Sequence, residues 1–407
     1  MAAAFGSCFG SCAPAIVGRA ARASKNAKWG LLFTIVTPSA SAAFRAIAVD
    51  CLCNRCPRGH TGFMALYLAF DVGGTKTAAL VADENQVLAR TTAGSIKTLR
   101  VPPEEAMANL QALLAALKAA SGRTLHGNVA CTCIGTSGIS APVVRDWLLS
   151  SFREVVGGET VLLGDEVIAL DAAFQGARGV LAIAGTGSNM VGRARSGAMV
   201  HAGGWGPALS DEGSGHWIGT EALRACFRAI DAAKPSSADA VSPHGVPIPI
   251  TREHLPSLLQ RFLETLELRD LEDIIGAANS LTFHSAALVP ATVAAARSGD
   301  ALAGAVLQRA GEDAAALVAA VIRKVEALEA ADRVPFRAPE VAFVGGILSH
   351  IAEVRDAMHR SLAAEFPGIV LQQSAVDPLE GALWHARGRP GTHGGAPLDA
   401  PALHRRV

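Results

Sequence analysis

The chain of 407 residues has no long hydrophobic run and no excess of either charge. A membrane-spanning helix needs roughly twenty consecutive apolar residues, and no segment approaches that length. The 36 basic and 36 acidic residues balance, which argues against a general binder of nucleic acid or of anionic membranes. We therefore expect a soluble protein with no nucleic-acid partner and no membrane partner, long enough for two sizeable domains.

Cysteine is scarce beyond the first 63 residues. Only Cys131, Cys133 and Cys226 lie after that point. Such sparse cysteines are typical of a reduced, cytoplasmic protein.

The segment from Ala69 to Thr77 is the most informative one. An apolar strand leads there into an acid, two glycines and two hydroxyl residues. Glycines let backbone N–H groups approach an anion closely, hydroxyls add donors, and a carboxylate at a strand end can hold a hydrated Mg²⁺ ion. The alternative is an ordinary tight hairpin with a solvated acid and lysine. The pattern predicts a hairpin that binds ATP, with Asp71 as the metal ligand and with contacts from Gly73, Gly74, Thr75, Lys76 and Thr77.

This hairpin is not a Walker A loop. Lys76-Thr77 lacks the glycine directly before the lysine and the earlier glycine at the required offset. A P-loop fold is therefore disfavoured.

A second glycine turn follows the apolar run from Val180 to Ala184. Two such turns, each at the end of a buried strand, fit two lobes that hold one polyphosphate from opposite sides, although two unrelated hairpins would give the same pattern. A third turn follows the strand at 341–344, where backbone without side chains could let a flat adenine lie close. The further ATP contacts predicted are Gly185, Thr186, Gly187, Gly345 and Gly346.

The order of apolar segments predicts an α/β fold. Residues 64–179 read as three strands followed by alternating helix and strand, which describes one ribonuclease-H-like lobe. The pattern restarts at Val180, so we predict a second such lobe with added helices over 180–388 and a nucleotide cleft between the lobes. Residues 234–250 read as an exposed loop and 389–407 as a loose tail.

Residues 1–63 stand apart from this pattern, because they are basic and rich in Ala, Ser and Arg. They could be a targeting peptide or a disordered leader that is no part of the working protein, which would then start at Met64. Export would take the protein away from ATP, so the second interpretation is favoured. Cys51, Cys53 and Cys56 are spaced like part of a zinc site, but no second ligand pair follows them.

The three glycine turns, in this order, resemble those of the acetate kinase, sugar kinase, Hsp70 and actin superfamily, which has the actin-like ATPase fold. The closer resemblance is to the BadF/BadG/BcrA/BcrD ATPase family and, within it, to N-acetylglucosamine kinases. The resemblance implies a kinase that uses ATP and Mg²⁺ to phosphorylate a hydroxyl, expected to be that on C6, of an amino sugar such as N-acetylglucosamine or glucosamine. It covers about residues 64 to 388, and the motifs that carry it are 71–77, 164–166, 185–189, 203–206, 211–215 and 345–346.

Phosphoryl transfer to an alcohol needs a group that positions the hydroxyl and accepts its proton. Asp165, which follows the strand at 160–163 and opens a helix, is the predicted base. The resembled sugar kinases carry their catalytic aspartate at this place, just before the second phosphate loop. A helix N-cap would also explain Asp165, and Glu166 is expected to face away or to serve the first helical turn.

Two segments, 203–207 and 211–215, hold too many glycines for regular structure and too much acid to be buried without partners. Such segments suit a polyol, because carboxylates accept pairs of hydroxyls and an indole covers the apolar side of a pyranose. From the residues alone, Trp205 could equally be a core anchor and Asp211 a turn residue. The resemblance assigns to the sugar Ser188, Asn189, Gly204, Trp205, Gly206 and Asp211, beside Asp165.

One segment departs from the family pattern. Related kinases carry an Asn that contacts the sugar after the third strand, whereas this chain has Gly94-Ser95-Ile96-Lys97. We place Ser95 and Lys97 in the substrate site. A lysine there adds a cation where a neutral amide is expected, which puts the N-acetyl specificity in doubt and could favour another hexosamine or an acidic sugar. The alternative is a solvated loop lysine.

Two rival functions stay open. The same family contains ATPases that activate 2-hydroxyacyl-CoA dehydratases or serve benzoyl-CoA reductases, and these hold an iron–sulfur cluster through exposed cysteines, whereas Cys131 and Cys133 fit a strand core. A sugar-sensing regulator would need an N-terminal helix-turn-helix, of which residues 1–63 show no periodicity. We therefore predict a cytoplasmic kinase that acts on a small-molecule sugar, with a homodimer left open.

Overall fold

The computed structural model of the protein describes residues 65–233, 255–332 and 334–388. The predictions for the leader 1–63 and its cysteines, for the loop 234–250 and for the tail 389–407 lie outside the described residues.

A five-stranded mixed sheet forms the first part of the fold. Its strands are β1 Leu66–Val72, β2 Lys76–Ala82, β3 Val87–Gly94, β4 Val129–Thr136 and β5 Glu159–Leu163. Their order is β3-β2-β1-β4-β5, with β1 antiparallel to β2 and parallel to β4. Strands β1 and β4 are buried at most positions because helices cover both faces of the sheet.

Two helices, α1 Pro103–Ser121 and α2 Pro142–Val155, cover one face of this sheet. A proline starts each helix, because its fixed φ suits the first turn and its missing N–H is not needed there. Their apolar stripes pack onto β1, where Phe70 meets Phe152 edge-on with ring centroids 4.8 Å apart.

A second sheet of four strands repeats the connectivity of the first. Its strands are β6 Gly179–Ala184, β7 Ser188–Arg193, β8 Met199–Gly203 and β9 Val341–Val344. The order is β8-β7-β6-β9, with β6 antiparallel to β7 and parallel to β9. Each sheet thus starts with a hairpin and continues with a parallel strand, and the predicted α/β fold with two related sheets is confirmed.

In the part of the chain that the structure describes, seven helices accompany the second sheet and, with Val180 and Ala182 of β6, supply most of the largest apolar core. Their alanines and leucines recur at helical spacing because one stripe of each helix faces that core. Among the described residues, no helix combines the length and the hydrophobicity that a bilayer-spanning segment requires. The seven are α4 Gly215–Ala232, α5 Ser257–Thr265, α6 Leu271–Ala278, α7 Val289–Arg297, α8 Ala301–Glu329, α9 Gly346–His350 and α10 Ala352–Glu365.

Helix α3, Asp165–Phe174, lies between the two sheets. Ile168 packs against residues of the first sheet, whereas Ala169 and Leu170 contact residues of the second. A residue at the start of α3 is therefore held by both halves of the fold.

The last described helix, α11 Pro378–Ala386, returns to the first sheet. Leu379 and Leu383 pack with Ala69 and Leu80 of β1 and β2. The predicted boundaries assign residues 180–388 to the second lobe, and α11 departs from that division because the first sheet has an apolar face that α3 covers only in part. The boundary at 179/180 itself stays a prediction.

A buried ion triad fixes this junction. Asp171 of α3 accepts hydrogen bonds from Arg193 at the end of β7, and His385 Nε2 of α11 lies 2.8 Å from Asp171 Oδ2. Burial alone would raise the pKa of Asp171, but the bonds with His385 and Arg193 lower it to about 2. Since removing one partner would leave a buried charge uncompensated, the triad holds α3, α11 and β7 together.

Candidate functional site

The first glycine hairpin joins β1 to β2. The N–H of Gly73 donates to the carbonyl of Lys76 over 3.0 Å, which closes the turn. Gly74, Thr75 and Lys76 are exposed at its tip, so their backbone N–H groups and side chains can reach a ligand. The tip is therefore accessible to a ligand, and its binding of an anion stays a prediction.

Thr77 differs from its neighbours at the hairpin tip. Its side chain is fully buried, and its Oγ1 accepts a hydrogen bond from the N–H of Ile96 over 3.1 Å. The hydroxyl therefore anchors the loop after β3, and its contact with ATP stays a prediction. Sequence alone could not separate the two roles, because both use a threonine at the start of a strand.

The loop after β3 is fastened to this hairpin. The hydroxyl of Ser95 donates to the carbonyl of Gly73 over 2.7 Å and accepts from the N–H of Lys97 over 3.1 Å. Ser95, 2% exposed, therefore positions the loop, and its hydroxyl is not directed at a substrate. Lys97 is only 8% exposed and its Nζ donates to Ser137 Oγ over 2.6 Å, so the alternative of a solvated loop lysine is wrong.

The register of the first sheet brings the predicted acids to one edge. Asp71 of β1 pairs with Gly135 of β4, and Gly135 pairs with Leu163 of β5. These strands are parallel, so their carboxyl ends point the same way, and neighbouring strands lie about 4.8 Å apart. Asp165 comes two residues after Leu163 and thus lies at the edge that also carries Asp71.

Asp165 is the first residue of α3 and not its N-cap. Gly164 is the capping residue and makes no side-chain cap, so the alternative reading of Asp165 as an N-cap is wrong. Its Oδ1 accepts from the N–H of Glu166 over 3.2 Å. Asp165 is partly exposed, which leaves carboxylate oxygen available for a substrate proton.

Glu166 does not face away from the site. Burial and a hydrogen bond with Asp165 raise the pKa of Glu166 to about 7. The Glu166 carboxyl therefore keeps its proton up to near neutral pH, because its charged form would be partly buried next to a second carboxylate.

Asp71 is the residue predicted to hold Mg²⁺. Burial and the nearby carboxylates of Asp165 and Asp377 raise the pKa of Asp71 to about 6. A divalent cation would relieve this repulsion, so the donor set fits Mg²⁺. Within the described residues no group of three or more metal-binding side chains could hold an ion, and Mg²⁺ bound through one carboxylate, substrate phosphates and water needs no such group.

The second glycine hairpin joins β6 to β7, and the start of α4 supports it. The N–H groups of Gly215 and His216 donate to the carbonyls of Gly185 and Thr186 over 2.8 and 3.1 Å. Thr186 is exposed at the tip of the hairpin. The side chains around this hairpin come from the segment before α4, so the hairpin and that segment form one unit.

Asp211 ties that segment to the second hairpin. It is 6% exposed, and its Oδ1 accepts from the N–H of Ser188 over 3.3 Å. Its φ of +73° is uncommon for a residue other than glycine, and such conformations cluster at ligand sites. Ser188, predicted to contact the sugar, donates its hydroxyl to the carbonyl of Glu212 over 2.8 Å and so acts within this support.

Asn189 and the turn after β8 form the open part of the predicted sugar site. Asn189 Oδ1 is buried and has no hydrogen-bond partner among the described residues. A Cβ on Gly204, whose φ is +73°, would lie 2.9 Å from this oxygen. Trp205 is 63% exposed, so the alternative of a core anchor is wrong, and Gly206 leaves open space beside it. An unsatisfied acceptor next to an exposed indole fits a ligand with hydroxyl or amide N–H donors and an apolar face.

The third glycine turn lies against the second hairpin. Gly345 has a φ of +101°, and a side chain there would collide with the backbone of Ala184. Nothing lies within 4 Å of the position that a Cβ on Gly346 would occupy, which leaves room for a flat ring.

Sequence reasoning missed three groups that the structure brings to the site. Ser137 follows β4 and accepts from Lys97, Arg100 lies with its Nε 3.7 Å from the Cβ position of Gly74, and the Asp377 carboxylate acts on Asp71. The strand-end position of Ser137 was a usable signal. Nothing in the sequence around Arg100 or Asp377 indicates which strand they approach.

Comparisons with known proteins identify one family. The family model of the BadF/BadG/BcrA/BcrD ATPase family matches residues 70–386. An N-acetyl-D-glucosamine kinase of Dictyostelium discoideum is 27% identical over 333 residues, covering 78% of this chain and 96% of the relative. An N-acetylmuramic acid/N-acetylglucosamine kinase of Clostridium acetobutylicum is 25% identical, covering 80% and 99%.

Solved structures show the same fold. A Chromobacterium violaceum protein assigned as an N-acetylglucosamine kinase superposes with a TM-score of 0.57 at 25% identity, covering 79% of this chain and 98% of that one. The two sheets therefore form an actin-like ATPase fold. Because the family model spans most of the chain, the chain belongs to the BadF/BadG/BcrA/BcrD ATPase family.

Proposed function

We propose that the protein is an ATP-dependent sugar kinase that transfers the γ-phosphoryl group of ATP to a hydroxyl of an amino sugar, at C6. N-acetylglucosamine and glucosamine are the first candidate acceptors. The observation that carries the proposal is the shared edge of β1, β4 and β5, which places an exposed phosphate-type hairpin beside Asp165.

Asp165 is proposed as the general base. Its carboxylate would accept the proton of the acceptor hydroxyl while that oxygen attacks the γ-phosphorus and ADP departs with the electrons of the broken P–O bond. Proton transfer to such a base contributes typically about 10²–10⁴-fold to the rate. The Glu166 carboxyl next to it could take up charge changes at Asp165 through their hydrogen bond.

ATP is proposed to contact both hairpins and the third turn. The exposed tips at Gly74–Lys76 and at Thr186 offer N–H and hydroxyl donors to phosphates. Gly345 and Gly346 leave space for the base. Mg²⁺ held at Asp71 would neutralise part of the phosphate charge.

The sugar is proposed to lie against Asn189, Gly204, Trp205 and Asp211. Support comes from the unsatisfied Asn189 oxygen and from the exposed indole of Trp205. A sugar N–H or hydroxyl would satisfy the first, and a pyranose face would cover the second.

The rival role as an iron–sulfur ATPase finds no support in the described cysteines. Cys131, Cys133 and Cys226 are buried. Burial raises the pKa of Cys131 and of Cys226 to about 12, and it raises the pKa of Cys133 as well. Such thiols are poor metal ligands, because the ligand is the thiolate. The homodimer and the cytoplasmic location remain proposals.

A coupled assay of ADP release tests the function. Full-length protein with ATP and Mg²⁺ is screened against glucosamine, N-acetylglucosamine, N-acetylmannosamine and glucose, with a sugar-free sample as the background. We expect sugar-dependent ADP release, and phosphorus NMR of the product identifies the modified hydroxyl. ADP release that ignores every sugar, from a protein that contains iron, would instead favour the rival ATPase role.

A further inference from the structure

The buried Lys97 ammonium lies between the first hairpin and the proposed base. Asp71, Gly135 and Leu163 form one row across β1, β4 and β5. Two positions further along the sequence from each member of this row lie Gly73, Ser137 and Asp165. Since Lys97 Nζ donates to Ser137 Oγ over 2.6 Å, the ammonium sits above the middle strand, with the hairpin on one side and the carboxylate on the other.

The loop that carries Lys97 is rigidly held. Three hydrogen bonds fasten it to other segments, from Ser95 to Gly73, from Ile96 to Thr77, and from Asn109 to the Ser95 carbonyl. A fourth, from the Lys97 N–H to Ser95 Oγ, lies within the loop. A cation on such a loop is already in place before a ligand arrives, so its position costs little ordering entropy upon binding.

Lys97 is a cation without an ion-pair partner of its own. Among the described residues it forms no salt bridge, and its hydrogen-bond partner Ser137 is neutral. Burial lowers the pKa of Lys97, the Asp165 carboxylate acts in the opposite sense, and Arg100 adds to the lowering. A buried cation near a second cation is unfavourable in the free protein, and an anionic ligand would relieve this cost.

Arg100 supplies the second cation. Its backbone N–H donates to the Lys97 carbonyl over 2.8 Å, so both side chains leave one turn of the chain. The Arg100 guanidinium lies against Gly74, with Nε 3.7 Å from the Cβ position of that glycine. One cation therefore faces the hairpin tip and the other faces the base.

We propose that Lys97 is a catalytic residue that donates hydrogen bonds to the transferring phosphoryl group, with Arg100 holding the same group from the hairpin side. This inference rests on the proposed function and names a role for Lys97 other than sugar recognition. The segment that departs from the family pattern would thus serve the phosphoryl transfer itself.

The reaction balances with Lys97 charged throughout. The acceptor oxygen forms a bond to the γ-phosphorus, its proton goes to Asp165, and the bond from phosphorus to the leaving oxygen of ADP breaks with its electron pair on ADP. The ammonium gives and takes no proton. It contacts non-bridging oxygens of the phosphoryl group, whose charge has to be stabilised as it moves between donor and acceptor.

The experiment compares Lys97→Met, Lys97→Arg and Lys97→Asn in the full-length protein. Removing one such preorganised donor costs about 10²–10³-fold in kcat, so Lys97→Met should lower kcat at least about 100-fold with every acceptor that the wild type uses. KM for ATP and for the sugar should change less than about threefold. Lys97→Arg should recover part of the rate, and Lys97→Asn should not. Arg100→Met should lower kcat less than Lys97→Met.

Lys118→Met is the matched control, because Lys118 is an exposed lysine of α1 in the same half of the fold. It should keep wild-type kcat. Circular dichroism and thermal melting show whether each variant is folded. A folded Lys97→Met protein with kcat within threefold of wild type would overturn the proposal. So would a change confined to KM for some sugars and not others, because that pattern assigns Lys97 to acceptor recognition.

Binding of ADP–aluminium fluoride separates this inference from the proposed function. Its affinity should fall in Lys97→Met by about the factor lost in kcat, while the affinity for Mg-ADP stays unchanged. If the wild type phosphorylates no sugar, the proposed function fails, and this binding comparison still decides whether Lys97 contacts a transferring phosphoryl group. Equal affinity of wild type and Lys97→Met for the fluoride complex would refute the role.

Discussion

The two glycine hairpins have the same backbone design and different surroundings. Each joins the first two antiparallel strands of a sheet, β1 to β2 and β6 to β7. The first is flanked by cations, Lys76 at its tip and Lys97 and Arg100 on the adjoining loop. The second is held by the start of α4 and by an acidic segment that contains Asp211.

Although ATP is proposed to contact both hairpins, we infer from this difference a division of labour in their further contacts. Cations and a base beside the first hairpin suit the charge that moves with a phosphoryl group. Acceptors and an exposed indole beside the second suit a neutral polyol. A pair of similar turns in a sequence therefore does not imply a pair of similar roles, because the side chains that fasten each turn decide what it can bind.

The largest expected effect concerns the base on the side of the first hairpin. Asp165→Asn should lower kcat by about 10²–10⁴-fold, because the amide cannot accept the hydroxyl proton. The Kd for Mg-ATP, measured by calorimetry, should stay near that of the wild type. The control Glu159→Gln changes an exposed acid at the start of β5, the strand that precedes Asp165. It should leave kcat and the Kd for Mg-ATP unchanged. Turnover of Asp165→Asn within tenfold of wild type would show that another group is the base.

Asp211 tests the role of the second hairpin. Asp211→Ala removes the acceptor for the Ser188 N–H and should cost about 1–3 kcal/mol of unfolding free energy, measured by urea titration. Asp211→Asn should cost less, because asparagine keeps an acceptor and tolerates the positive φ. Both variants should raise KM for the sugar by about tenfold or more, as expected for a lost hydrogen bond to a charged group. KM for ATP should rise less than KM for the sugar, because Asp211 also supports the hairpin that is proposed to contact ATP. An equal rise in both KM values would break the division of labour.

The two threonines of the first hairpin separate support from binding. Thr77→Val leaves the buried N–H of Ile96 without a partner and should cost about 1–3 kcal/mol of unfolding free energy. Thr75→Val, at the exposed tip, should change stability by less than about 0.5 kcal/mol and should weaken nucleotide binding. Urea titration and calorimetry measure the two quantities. If Thr75→Val lowered the stability and Thr77→Val weakened nucleotide binding, the Thr77 hydroxyl would instead serve the nucleotide.

The smallest effect is a pH dependence that only the first hairpin should show. The pKa of Asp71, raised to about 6 in the folded chain, makes the folded state bind its proton more tightly than the unfolded state does. Stability from this group is therefore present at low pH and is lost as pH rises through about 6. Asp71→Asn should raise the Tm relative to wild type more at pH 8 than at pH 5. Asp146→Asn, an exposed control, should show equal shifts at both pH values.

Much of the fold could be predicted because it depends on local patterns. Apolar runs ending in glycine predicted the hairpins that join β1 to β2 and β6 to β7. The start of α4 was hidden within glycines, where the Ser214 side chain accepts from the Trp217 N–H and begins the helix at Gly215. The packing of α11 was not predictable, because the apolar face of a helix does not indicate which of two sheets it packs against.

The site was predictable to the level of segments and less so to the level of atoms. Residue types at strand ends gave Asp71 and Asp165. The hydroxyls of Thr77, Ser95 and Ser188 fit a ligand equally well by type, yet each bonds to backbone of a neighbouring segment. Only tertiary structure reveals which hydrogen-bond partner a hydroxyl has. The burial of Lys97 was likewise not predictable, because the hydrogen bonds that hold its loop come from segments distant in the sequence.

The return of α11 to the first sheet makes the order of synthesis matter. Until Pro378–Ala386 has been synthesised, the nascent first half has an apolar surface around Ala69 and Leu80 that, among the described residues, α11 finishes covering. That half is therefore not an autonomous folding unit, and a gene fragment ending before α11 would encode a chain with an aggregation-prone face. Helix α11 is therefore needed both for the packing of the first sheet and for the last step of its folding.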